Sequence, residues 1–145
     1  MKNYETLMAL VNAINVQEDA EDLALFISQR LEKITAYHSF VINYAVQTEI
    51  QKHRLEGQDF IDYMESMNDK RITHHKAMID AIIQVNRFCK AEGINPIYDG
   101  KIDETKRYDD ADTRFGIAEW ADEFCSEVYR ISVKDHKAVV EKENN

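Results

Sequence analysis

Arg71, His75, Ile82 and Asn86 recur at multiples of about four residues, which places them on one broad strip of a helix. An arginine and a histidine one turn apart can grip a carboxylate or phosphate through the guanidinium fork and leave the imidazole to donate or shuttle a proton. Arg87 and the loop tyrosine Tyr98 complete a candidate ligand-binding set of Arg71, His75, Asn86, Arg87 and Tyr98, with His74 beside it. The same residues also read as a polar network that fixes the register between helices, paired with Glu49 or Asp62. Clusters of this kind are more often structural than functional.

Other chemistries fail on spacing. Carboxylate-bridged di-iron bundles need Glu-x-x-His on facing helices, and no histidine here has a glutamate three residues before it. Glu49 and His53 supply only two zinc ligands, a pattern that also arises as an ordinary helix-surface pair. His74-His75 is followed by Lys76 where a His-Asp phosphohydrolase needs aspartate. Glu18-x-x-Glu21 and Glu119-x-x-Asp122 have the spacing by which helical nucleotide pyrophosphohydrolases hold magnesium. They are separated by most of the chain, so exposed helix surface is the better reading. There is no Gly-x-Ser-x-Gly elbow and no glycine-rich phosphate loop, and neither Cys89 nor Cys125 has an activating base beside it. No catalytic residue, metal site or cofactor is therefore assigned.

The elements that must carry these side chains are helical. The chain has 145 residues, with only four glycines and one proline, and strand-rich folds need more turns than that. The spacing predicts an all-α fold, a single helical domain over 1–145 in the form of a bundle. It has a short helix at 1–16, a long antiparallel hairpin at 20–55 and 58–92, an acidic loop at 93–112, a last helix at 113–140 and a frayed tail at 141–145. The apolar stripe of the first long helix runs through Leu23, Phe26/Ile27, Leu31, Ile34, His38, Val41/Ile42 and Ala45. Gly57 breaks the hairpin, while Gly93 and Pro96 stop its second arm. Trp120, Tyr129, Met64 and Met67 sit at helical spacing that usually fills core.

A net charge of −9 disfavours nucleic-acid and anionic-membrane partners. No stretch approaches the run of about 20 apolar residues that a membrane span requires. The N-terminal residues are interrupted by Asn3, Glu5, Asn12 and Asn15 and show no secretory signal, so a cytoplasmic location with reduced cysteines is expected.

Taken together, His53-Arg-Leu, Tyr63, Arg71-x-x-x-His75-x-x-x-Ile79, Asn86-Arg-Phe-Cys89, Pro96-Ile-Tyr-Asp-Gly100 and the Ile117–Phe124 helix resemble a small family of helical proteins of unknown function. Its members belong to Gram-positive bacteria and their prophages. The resemblance covers residues 37–131 and leaves out the first helix and the acidic insert around Asp103–Asp112. Trp120 departs from the phenylalanine of the pattern, which touches only local packing. The resemblance implies an all-helical cytoplasmic domain and draws attention to Arg71, His75, Asn86 and Arg87, without supplying catalytic residues.

One hairpin of this length cannot bury both of its apolar faces. The expected function is that of a non-enzymatic interaction protein, a homodimer or larger assembly, with a phage-derived role on a host protein as an extension. The competing expectation is a small anionic ligand held by the Arg71/His75/Asn86 face.

Overall fold

The computed structural model describes residues 2–102, 111–126 and 129–142. The chain forms α1 (Lys2–Asn15), α2 (Ala20–Lys52), α3 (Gln58–Ala91) and α4 (Ala111–Phe124), then strands β1 (Tyr129–Lys134) and β2 (Lys137–Lys142). Helices α2 and α3 pack antiparallel, and one register runs through the pairs Arg30–Gln84, Tyr37–His75, Phe40–His74 and Thr48–Met64. Gly57, at φ +56°, stands at the N-cap of α3. At the other end of α3, Gly93 takes φ +70°; its N–H donates to Lys90 and that of Ile94 to Cys89. That reciprocal pair satisfies carbonyls the helix leaves open, and glycine adopts the left-handed turn at no steric cost.

The core gathers at one end of the hairpin. Ala24, Ile27, Leu31, Ile34 and Tyr37 of α2 meet Met78, Ile79, Ile82, Val85 and Cys89 of α3, and Leu7, Leu10 and Ile14 of α1 cover them. Ile117 and Phe124 of α4 and Ile131 and Ala138 of the strands close the cluster. From His38 to His74 no side chain is buried, so the hairpin runs on past the core as a two-helix arm. Each arm helix extends on the order of 20 Å at 1.5 Å per residue. The stripe read from the sequence therefore stops short of expectation: Val41, Ile42 and Ala45 are exposed, because no other described element lies over them.

The C-terminal region corrects the all-α expectation: the fold is mainly helical but ends in a two-stranded antiparallel sheet. The helix expected over 113–140 ends at Phe124, and Tyr129 pairs with Lys142 through to Lys134 with Lys137. Ile131, Val133, Ala138 and Val140 follow the two-residue period of a strand, and β-branched residues suit it. The turn residues Asp135 and His136 both have positive φ, 52° and 65°, which matches the right-handed twist of a tight hairpin. Neither is glycine, so the usual sequence signal is missing.

The tail expected to fray is instead held in place over 141–142, within β2; residues 143–145 lie outside the described residues. Asn15 of α1 clamps β2 with both halves of its amide, donating to the Ala138 carbonyl at 2.9 Å and accepting from the Ala138 N–H at 2.8 Å. Ser28 of α2 donates to the Ile131 carbonyl at 3.0 Å. Of the acidic loop expected over 93–112, residues 103–110 lie outside the described residues and Ala111 and Asp112 open α4.

Candidate functional site

The most unusual polar grouping lies where the core ends and the arm begins. His75 is 1% exposed, and neither ring nitrogen has a hydrogen-bond partner among the described residues. Tyr37 crosses from α2 and meets the imidazole edge to face, 5.2 Å between centroids. Arg71, one turn before His75, acts on Tyr37 through its charge and a hydrogen bond, and also donates to the Asn68 Oδ1 from Nε and Nη2 at 3.2 and 3.1 Å. Arg114 of α4 is close enough for its charge to act on both Tyr37 and His75, and its Nε is buried without a partner among the described residues.

The electrostatics follow from this crowding. Burial, then the positive charges of Arg71 and Arg114, push the His75 pKa down to about 4. The imidazole is neutral at pH 7, with one N–H donor and one acceptor nitrogen. Burial raises the Tyr37 phenol, against the pull of the same two arginines, so it stays protonated. Among the described residues neither arginine has a carboxylate in ion-pair range. Two guanidinium groups, a phenol and a neutral imidazole thus converge with donors in excess.

Of the five sequence candidates, the fold brings Arg71 and His75 together and places the others elsewhere. Asn86 lies about 16 Å farther along α3. Its amide accepts from the Ile97 N–H at 2.9 Å and donates to the Tyr98 carbonyl at 3.0 Å, fastening the segment after Pro96 to the helix. Tyr98 is buried against Trp120, 5.3 Å between centroids, with its hydroxyl end over Gly100 and Gly116. Arg87 is exposed on α3, the next residue after Asn86. Tyr37 and Arg114 went unrecognised in the sequence: Tyr37 looks like one more core position, and Arg114 follows a run of acids that reads as its counter-charge.

The other candidate chemistries separate in space. Glu21 pairs with His136 at 2.8 Å and Asp122 with His38 at 2.9 Å, so the carboxylates of the magnesium pattern serve two different histidines. Among the described residues no group of three or more His, Cys, Asp and Glu is placed to hold a metal ion. Cys89 and Cys125 are both free. A cavity of about 350 Å³ between α1, α2 and β1 is lined in part by Leu7, Ser28, Thr35 and Cys125. Burial raises the Cys125 thiol to about 11, which keeps it protonated and a poor nucleophile at neutral pH. No described helix is long and apolar enough to cross a membrane.

The fold and this polar knot define a class: a mainly helical protein built on an over-long hairpin, with a small β-hairpin closing the core. The chain belongs to the DUF3232 family, proteins of unknown function, whose model matches residues 1–134. That match takes in the first helix and the acidic segment, both left outside the motif resemblance, and stops before β2. Neither the curated proteins nor the solved structures contain a match.

Proposed function

We propose that the protein is a non-enzymatic interaction module that self-associates through its arm. The observation that carries this reading is the unburied stretch from His38 to His74 with apolar residues along it. Ile42 and Val46 are each 53% exposed, and Ile50 extends the same side of α2. Ile61 of α3 lies near the level of Ile50 in the hairpin register and is also exposed. Two antiparallel helices cannot enclose such a stripe, whereas four can, with crossing angles near 20°.

A second copy suits the arm's charge. Lys52, His53 and Arg54 end one helix and Asp59, Asp62 and Glu65 begin the next, so the tip carries both signs and is complementary to itself about a two-fold axis. The free cysteines support a reducing, cytoplasmic setting. A regulatory role for a prophage product acting on a host protein extends this reading and has the resemblance to proteins of Gram-positive bacteria and prophages as its support.

Sedimentation equilibrium at micromolar concentration tests the reading. The expected mass is twice the 16.9 kDa of the chain or a higher multiple, falling to 16.9 kDa when Ile42→Glu and Val46→Glu are combined, with helicity retained. Both side chains are already exposed in the single chain, so the double variant has no reason to unfold. A wild-type monomer, or an oligomer unchanged by the substitutions, overturns it.

A further inference from the structure

The geometry points to a binding site for a phosphate group between Arg71 and Arg114, at the base of the arm, with the Tyr37 hydroxyl and a His75 ring nitrogen as further ligands. This inference stands apart from self-association and is tested separately. Its first support is the His75 ring, buried to 1% exposure on α3 with both nitrogens unpartnered among the described residues. Leaving such a group unsatisfied is costly, so its retention calls for a partner that the described residues do not supply. The second is Arg114 on α4, whose buried Nε also lacks one among the described residues. The third is the charge: two guanidinium groups reach Tyr37 and His75 from different helices, with no carboxylate in ion-pair range among the described residues. Holding two half-buried cations beside one buried ring is unfavourable unless an anion joins them.

A phosphate dianion fits these donors better than a carboxylate monoanion. It matches two positive charges and offers enough oxygens for a guanidinium fork, a phenol and an imidazole N–H at once. The depressed basicity of His75 keeps it a neutral donor at pH 7, so the ring adds a hydrogen bond without a third charge.

The test uses the purified full chain with inorganic phosphate, acetate, and chloride at equal ionic strength, followed by thermal unfolding and by NMR of the histidine rings. Phosphate at roughly a hundredfold excess over its Kd is expected to raise the Tm by several degrees. It is also expected to raise the His75 pKa from about 4, because a nearby anion favours the charged ring. Arg71→Gln and Arg114→Gln each abolish both responses, while Arg87→Gln retains them. If one arginine variant fails to fold, the other variant and the wild-type His75 titration decide. A larger response to acetate reassigns the site to a carboxylate ligand and overturns the phosphate assignment. No response in the wild type, or an equal response in chloride, overturns the site. Loss of stability in both arginine variants without any phosphate effect identifies the pair as structural, neutralised by the chain's own acids.

Discussion

Tyr37 and His75 face each other across the hairpin at the last level where its side chains are buried: Tyr37 is the final buried residue of α2 and His75 the first of α3. Their contact divides the molecule into a core with three further layers packed on it and an arm over which no other described element lies. Both the proposed interaction surface and the proposed phosphate site follow from that division. The stripe beyond the pair loses its cover, and the arginines beside it sit where low dielectric and solvent meet.

The buried neutral histidine makes stability pH-dependent. Unfolded, His75 titrates near 6.5; folded, near 4. Between those values the unfolded chain binds the extra proton, so this contribution is complete above pH 6.5 and is lost as pH falls through 4, by about 3 kcal/mol. Arg71 and Arg114, facing the ring from α3 and α4, act in the same direction, and Tyr37 from α2 carries no charge there. Urea titrations from pH 4 to 8 should show this slope flattened in His75→Phe relative to wild type.

Asn86 is expected to matter for the loop rather than for a ligand. Asn86→Ala removes both hydrogen bonds to the Ile97–Tyr98 backbone and leaves an N–H and a carbonyl without partners, at a cost of about 2–3 kcal/mol. Hydrogen exchange should report faster exchange at the Ile97 amide, with the phosphate response of the Arg71 site unchanged.

Gly100 is a packing requirement. A Cβ there would collide with the hydroxyl end of the Tyr98 ring, and one at Gly116 would come within 2.9 Å of the same oxygen. Gly100→Ala should destabilise the protein by about 1–3 kcal/mol, the usual cost of overpacking. Combined with Tyr98→Ala it should cost less than the sum of the two changes, since removing the ring removes the collision. Thermal unfolding of the four proteins in that cycle measures the coupling.

The exposed His136–Glu21 pair ties the β-hairpin turn to the start of α2 at 2.8 Å. The hydrogen bond and the charge of Glu21 raise the His136 pKa above its ordinary value. The pair's contribution is therefore full below the unfolded pKa and disappears as pH rises through the folded one. An NMR titration should find His136 still charged at a pH where Glu21→Gln has returned it to ordinary behaviour.

The residues of the hairpin show what a single sequence can carry. Ile27, Leu31, Ile34, Ile79, Ile82 and Val85 are buried where helical spacing placed them, because an amphipathic stripe is a local property of the chain. Val41 and Ile42 continue that stripe at the same spacing and are exposed, because burial depends on what else arrives to cover them. The strands were missed for a related reason. Ile131, Val133, Ala138 and Val140 form segments too short for periodicity to separate helix from strand, and their turn is built from Asp135 and His136 instead of glycine.

Sequence alone determined that the chain is mainly helical and where its polar side chains fall along α3. Scarce turn residues and regular apolar spacing act over a few residues at a time, so they are visible without a fold. Tertiary structure alone decided where the core ends and that the last segment is a β-hairpin. It also separated Asn86 and Tyr98 from Arg71 and His75, and brought Tyr37 and Arg114 to join that pair. These outcomes depend on contacts between residues dozens of positions apart, set by the packing of α2, α3 and α4, and no local pattern records them.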